Sequence, residues 1–185
     1  LVRLNKIYTR TGDSGTSGLV DGSRASKADP RFAAIGDVDE ANSAVGVALL
    51  QVEAARAMLS RIQNELFDLG ADLATPEAVE GALRIVPEQI ERLEREIDRM
   101  NQDLAALTSF ILPGGGGGSA ALHLARAVAR RAERSIVAAA AAAALNPLAL
   151  AYINRLSDHL FVMARWMAKK EGGDVLWQPG ATRGA

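Results

Sequence analysis

The chain has 185 residues, 49% hydrophobic and 23% charged; this length suits one domain, and the composition can bury a core, which excludes a disordered chain. Lys plus Arg (21) nearly balances Asp plus Glu (22), so no overall field draws the molecule to nucleic acid or to an anionic membrane, and any anion site must be local. The absence of cysteine removes disulfides, thiolate zinc sites and cysteine nucleophiles together.

The longest apolar stretch, Ile136 to Leu145, is about half of the ~20 residues that span a bilayer. No basic, apolar, small-residue leader precedes the first motif. The expectation is a soluble cytoplasmic protein, or a mitochondrial-matrix one if a leader has been removed.

From Asn5 to Pro30 the chain is rich in Gly, Ser, Thr and Asp and shows neither a helical nor a strand period, so it reads as an ordered or ligand-ordered loop. A first helix follows over about 32–53, where Ile35, Val38, Asn42, Val45 and Leu49 recur at spacings of three and four among small residues. Met58, Leu59, Ile62, Leu66, Leu69 and Leu73 mark a second helix that ends before Thr75-Pro76. After a connector over 75–86, Pro87 opens a third, amphipathic helix through Ile90, Leu93, Ile97 and Met100.

Phe110-Ile111-Leu112-Pro113 leads into five glycines, Gly114 to Gly118, which break the helical pattern. Ser119 is the expected N-cap of a long fourth helix through Leu122, Ala125, Val128, Ala132 and Ile136, extended by alanines to Ala144. Asn146-Pro147 ends it, and Leu150, Ile153, Leu156, Leu160, Met163 and Met167 define a fifth helix ending near Gly172-Gly173. The fold class is therefore all-α: a five-helix bundle (31–171) preceded by a loop (1–30) and followed by a tail (172–185), in one domain.

Arg126, Arg130 and Arg134 stand at i, i+4 and i+8, which places three guanidinium groups on one helical stripe over ~12 Å, with Arg131 beside them. Such a row needs anions, either carboxylates such as Glu133 or the oxygens of a phosphate, which guanidinium binds bidentately. The loop Tyr8-Thr-Arg-Thr-Gly-Asp-Ser-Gly-Thr-Ser-Gly18 offers hydroxyls, backbone amides and a cation for the same purpose. It lacks the order of a Walker A loop, and the polyglycine run lacks the βαβ context of a dinucleotide fingerprint. Lys27 is a further candidate phosphate contact. Asp39 and Glu40 place acids within an otherwise apolar helix and call for a cation, for which the fourth helix is the source. His123 and His159 stand apart with no Glu-x-x-His pair, so no protein-bound metal centre is expected. Asn154 and Asp158 share a face of the fifth helix at i, i+4.

Five segments in order resemble the PduO-type ATP:cob(I)alamin adenosyltransferases: Lys6-Ile-Tyr-Thr-Arg-Thr-Gly-Asp13, Val38-Asp-Glu-Ala-Asn-Ser43, Phe110-Ile-Leu-Pro-Gly-Gly115, Ala125-Arg-Ala-Val-Ala-Arg-Arg-Ala-Glu-Arg134 and Tyr152-Ile-Asn-Arg-Leu-Ser-Asp158. The resemblance implies a ferritin-like five-helix bundle assembled as a homotrimer, with active sites between subunits. It implies that ATP is held by Thr9, Arg10, Thr11, Gly12, Ser17, Gly18 and Lys27, joined by Arg130, Arg131, Glu133, Arg134 and Asn154, with Mg²⁺ on the triphosphate. Asp39 and Arg126 are expected to pair across the subunit interface, and Phe110 to pack under the corrin ring and exclude the lower axial ligand of cobalamin. The implied reaction is attack of cobalt(I) on the 5′ carbon of ATP, giving adenosylcobalamin and triphosphate, with an adenosylcobalamin-dependent enzyme as the receiving partner. A noncatalytic trimeric helical scaffold, or a different ATP-using transferase, would retain parts of this pattern. The scaffold would need neither the loop nor Phe110, and a phosphotransferase would need a positioned base.

Overall fold

The computed structural model describes residues 7–76, 79–116 and 118–184. A short antiparallel hairpin, β1 (Thr16–Gly18) and β2 (Arg24–Ser26), precedes five helices. These are α1 (Pro30–Leu49), α2 (Arg56–Leu73), α3 (Pro87–Asn101), α4 (Ser119–Ala142) and α5 (Pro147–Ala168). The all-α bundle is as expected, and the hairpin is what the sequence pattern missed. Two three-residue strands are too short for an alternating period to register.

Side-chain contacts give the helix directions. Asn42 and Gln63 exchange amide-to-carbonyl bonds at 3.0 and 3.3 Å, so α1 and α2 run antiparallel about the 50–55 connector. Asn154 donates to Glu133 at 2.8 Å, which folds α5 back on α4. Glu94 meets Arg155, Glu96 meets His159 and Asp103 meets Trp166, so α3 and its exit run parallel to α5. Val38, Leu59, Ile62, Leu122, Ile136 and Ile153 lie in the core, each at most 1% exposed.

Helix boundaries differ from expectation where a local contact overrides periodicity. Helix α1 starts at Pro30 because Asp29 caps it, accepting from the Arg31 amide at 2.8 Å with Pro30 in the first turn. It stops at Leu49, short of residue 53, because Val52 leaves the helical conformation (φ −125°, ψ 68°) to turn into the core and a separate 3-10 turn, Glu53–Ala55, leads into α2. Ser119 does not cap α4. Gly118 does, at φ +86°, while the Ser119 hydroxyl donates to Gly114 O at 2.9 Å and closes the glycine loop. The alanine run leaves the helix at Ala143, and Asn146 caps α5 by accepting from the Leu148 amide at 3.1 Å, ahead of Pro147.

The α2–α3–α5 junction buries charge. Arg61 grips Glu96 with two bonds of 2.6 and 2.7 Å, and His159 Nε2 meets the same carboxylate at 2.8 Å. Glu65 accepts from Arg92 at 2.8 Å and from the Tyr152 hydroxyl at 2.9 Å. Burial and the Glu65 carboxylate together push the Tyr152 phenol well above its ordinary pKa, so it stays a donor.

Candidate functional site

One end of the bundle gathers the α1 start, the α2 end, the α5 start and the amino-terminal hairpin. The Val20 amide donates to Ala74 O at 3.0 Å, and Arg31 donates to Leu73 O at 2.7 Å, so the hairpin is moored to the carbonyl end of α2. Arg10 adopts φ +62°, the one positive-φ non-glycine among the described residues, and its guanidinium lies 5.7 Å from the Tyr8 ring. The Thr9 and Thr11 hydroxyls are 2.9 Å apart. Lys27 folds over Gly12, so that a Cβ on that glycine would lie 2.9 Å from the ammonium nitrogen. Thr9 to Gly12 and Lys27 thus form one exposed, hydroxyl-rich and cationic surface, with Ser17 and Gly18 on the adjoining strand. Lys6, the first residue of the matched motif, lies outside the described residues.

Helix α4 carries the second component. Arg130 and Arg134 are exposed on one face, line a ≈290 Å³ depression with Glu133 and Val137, and are linked by a 3.0 Å bond from Arg134 to Arg130 O. Asn154 is brought to this face by its bond to Glu133. Arg131 turns the other way and meets Asp37 (3.5 Å) and Glu40 on α1, where Asp37 also accepts from Ser135. Those carboxylates hold the Arg131 guanidinium above its ordinary pKa. The expected cation for Glu40 is therefore Arg131. Asp39 and Glu40 are both exposed, not buried in the apolar face, because the buried row of α1 runs through Ala34, Val38, Ala41 and Val45.

One helical turn before Arg130, Arg126 enters a ≈610 Å³ cavity lined by Leu107, Thr108, Ser109, Phe110, Ile111 and Phe161. Its guanidinium sits 5.9 Å from the Phe161 ring. Burial, then the neighbouring Arg130, lower its pKa, and its Nε has no hydrogen-bond partner among the described residues. Asp39 does not reach it within the chain. His123 stacks edge-on against Phe161 at 6.1 Å, and burial followed by Arg126 pulls its pKa below the ordinary value, favouring neutral imidazole.

Phe110 is 78% exposed at the lip of this cavity. Its backbone is held by the tail, since Trp177 N donates to Phe110 O at 2.7 Å, Leu112 N donates to Val175 O at 2.8 Å, and Ser109 Oγ donates to Trp177 O at 2.9 Å. The Phe110 and Trp177 rings lie 6.2 Å apart. The pairing of the tail with this segment was not legible beforehand. A strand-like run with an aromatic, Val175-Leu176-Trp177, was the available signal.

One helix face thus runs from an apolar cavity under an exposed phenylalanine to a pair of free-facing arginines. The model of the cobalamin adenosyltransferase family matches residues 7–167, which contain every one of these groups except the tail.

The chain belongs to the cobalamin adenosyltransferase family.

This family member is 50% identical over 193 aligned positions to the corrinoid adenosyltransferase of Mycobacterium tuberculosis (strain ATCC 25618 / H37Rv), covering 100% of this chain and 98% of that protein. It is 44% identical over 179 positions to the human corrinoid adenosyltransferase, covering 92% of this chain and 72% of the human one. Among solved structures, a phenylalanine-to-alanine variant of the PduO-type ATP:corrinoid adenosyltransferase of Lactobacillus reuteri, complexed with cobalamin and ATP, superposes with a TM-score of 0.88 at 40% identity, covering 94% of this chain and 99% of that one. An arginine-to-lysine variant of the same enzyme, complexed with ATP, gives 0.87 at 40% identity, covering 94% and 100%.

Proposed function

We propose that the amino-terminal hairpin and Arg130 and Arg134 of α4 clamp the triphosphate of ATP, while Phe110 and the cavity beside Arg126 receive the corrinoid. The chain transfers the 5′-deoxyadenosyl group of ATP to cob(I)alamin. The observation that carries the assignment is the continuity of α4, which presents Arg126 to an apolar cavity and Arg130 and Arg134 to an anion-binding face within ~12 Å of helix.

In this reaction the cobalt(I) electron pair forms the cobalt–carbon bond at C5′, and the C5′–O bond breaks with its pair leaving on triphosphate. The protein supplies no nucleophile; it supplies position and charge. Arg130, Arg134 and Lys27 stabilise the negative charge that grows on the departing triphosphate. Arg10, Thr9, Thr11, Gly12, Ser17, Gly18 and Asn154 orient it, with Glu133 holding Asn154 in place. Arg131, engaged with α1, contributes through the field of the row. Phe110 covers the lower face of the corrin and keeps an axial donor away, which makes cobalt(II) easier to reduce.

Among the described residues no group of three acids or histidines could hold a metal ion. Mg²⁺ accordingly fits as an ion carried in by the triphosphate oxygens, where it would offset their charge.

The homotrimer with sites between subunits accounts for two features of the single chain. Arg126 is half-buried with an unpaired Nε while Asp39 is exposed. Among the described residues, no hydrogen bond or ion pair joins Thr9–Gly12, Ser17, Gly18 or Lys27 to Arg130, Glu133 or Arg134. A second copy that brings its loop to this face completes the clamp. The single domain, a cytoplasmic setting and delivery to an adenosylcobalamin-dependent enzyme complete the reading; among the described residues no helix is long and apolar enough to cross a membrane. Incubation of reduced cobalamin with ATP and Mg²⁺ gives adenosylcobalamin and free triphosphate. Release of ADP and phosphate instead would overturn the assignment.

A further inference from the structure

The side chain of Arg24 is exposed at the start of β2, opposite Gly18, yet it does not extend into solvent. Its Nη2 donates to Thr11 O at 2.7 Å, to Thr16 O at 3.1 Å and to Thr16 Oγ1 at 2.9 Å, and its Nε donates to Thr16 Oγ1 at 3.2 Å. No carboxylate pairs with it among the described residues. One guanidinium therefore ties together both ends of the 11–16 turn, where Gly15 at φ +80° and a 3.1 Å bond from Gly15 N to Gly12 O reverse the chain.

We infer that Arg24 is a positioning residue for ATP: it fixes the 11–16 turn in the shape that presents Gly12 and Lys27 to the triphosphate, without touching the nucleotide itself. The geometry follows from the planar trans peptide. With the Thr11 carbonyl turned in to Arg24, the amide of Gly12 is directed to the opposite side of the turn. The same turn places Gly12 under the Lys27 ammonium and lets Lys27 N donate to Gly15 O at 2.8 Å. Arg24 also spends its donors on uncharged carbonyls and a hydroxyl, so its positive charge stays available to the field that an incoming polyanion meets. A lysine cannot reproduce this brace in full, because an ammonium has no second, rigidly held nitrogen to donate to Thr16 Oγ1 as Nε does while the terminal nitrogen reaches Thr11 O.

The inference rests on the ATP reading of the loop, and the test separates the two. Amide hydrogen exchange across residues 11–17, measured on the intact protein without nucleotide, should be about tenfold faster in Arg24→Met than in the wild type. The KM for ATP should rise roughly tenfold in Arg24→Met and in Arg24→Lys, with kcat within about threefold. Cob(II)alamin binding and the urea midpoint should not move. Thr16→Val, which removes one acceptor of the brace, should combine with Arg24→Met less than additively on KM. An unchanged exchange rate with a raised KM would make Arg24 a direct phosphate ligand, and an unchanged rate with an unchanged KM would leave it without a role; either overturns the inference. A wild-type protein that binds no ATP would defeat the ATP reading, while the exchange measurement would still decide whether the brace exists.

Discussion

The amino-terminal hairpin and the α2–α3–α5 junction are both built by arginines closing on oxygens, and they dispose of the charge differently. In the junction, Arg61 and Arg92 meet carboxylates, with Glu96 and Glu65 both under 6% exposed, and Tyr152 and His159 take the remaining lone pairs. The network is neutralised internally and inert. In the hairpin, Arg24 meets backbone carbonyls, and on the neighbouring face Arg134 meets Arg130 O. Among the described residues no carboxylate is paired with either cation. The first arrangement ties three helices together in the interior, and the second leaves an exposed cationic surface.

The largest test of this contrast falls in the junction. Glu96→Ala strands Arg61 and His159 without their shared carboxylate and should cost ~3–5 kcal/mol of folding stability by urea denaturation, while the KM for ATP of the protein that remains folded is unchanged. Acid should probe the same group. Burial alone would raise the Glu96 pKa, but His159 and Arg61 outweigh it and hold the carboxyl at about 2. A carboxylate whose folded pKa lies below its unfolded value near 4.5 contributes fully above that value, and its contribution is lost as pH falls toward about 2. Urea midpoints measured down that window should decline in the wild type, with a shallower decline in Glu96→Gln. Next comes Arg130→Ala on the ligand face, which should lower kcat/KM for ATP about 30-fold, equivalent to ~2 kcal/mol of lost charge-assisted bonding. Its stability should stay within ~0.5 kcal/mol. Unfolding of this variant would place Arg130 in the scaffold class instead.

How far each region could be read from sequence follows the same division. The helices were legible because their apolar rows are long: Leu122, Ala125, Val128, Ala132 and Ile136 are all buried as their spacing requires. The junction was missed although it left a trace, since Glu65 and Glu96 each sit three residues after a buried apolar residue, Ile62 and Leu93, on the inward face. A charge in such a stripe reads as solvated until its partner on another helix is known. The glycines and hydroxyls of the loop were compatible with an anion nest or with an ordinary polar loop, and a three-residue strand pair held by Arg24 has no period to detect. Phe110 was singled out only by its matched motif. Its support by Trp177, 67 residues later, depends on long-range pairing that local pattern does not encode.

Phe110→Ala sharpens the comparison from the apolar side. The ring is exposed in the free chain, so removing it should leave folding unchanged within ~0.5 kcal/mol. Corrinoid affinity should fall about tenfold, consistent with ~1.5 kcal/mol of apolar burial that only the ligand provides. The four-coordinate cobalt(II) signal should diminish in the absorption spectrum; an unaltered spectrum would remove Phe110 from the lower face.

The smallest effect sets two glycines against each other. At Gly118 the backbone is left-handed, and an added Cβ would run into Val52 Cγ2 and lie 3.1 Å from Gln51 Cβ, inside the bundle. Gly118→Ala should therefore cost at least ~1–2 kcal/mol of stability, since both the conformation and the space oppose it. At Gly12 the tight contacts of the Cβ are with the Lys27 ammonium, at 2.9 Å, and Lys27 Cε, at 3.3 Å, while Thr16 O at 3.5 Å is at ordinary van der Waals distance. The lysine tip is the free end of a flexible side chain and can swing away at little cost, so stability should hold within ~0.5 kcal/mol. The displaced ammonium, however, is the one assigned to the triphosphate, so the KM for ATP should rise about threefold while corrinoid binding stays constant. If Gly12→Ala lowered the urea midpoint as much as Gly118→Ala does, the hairpin would belong to the cooperative core and the separation of scaffold from ligand surface would fail.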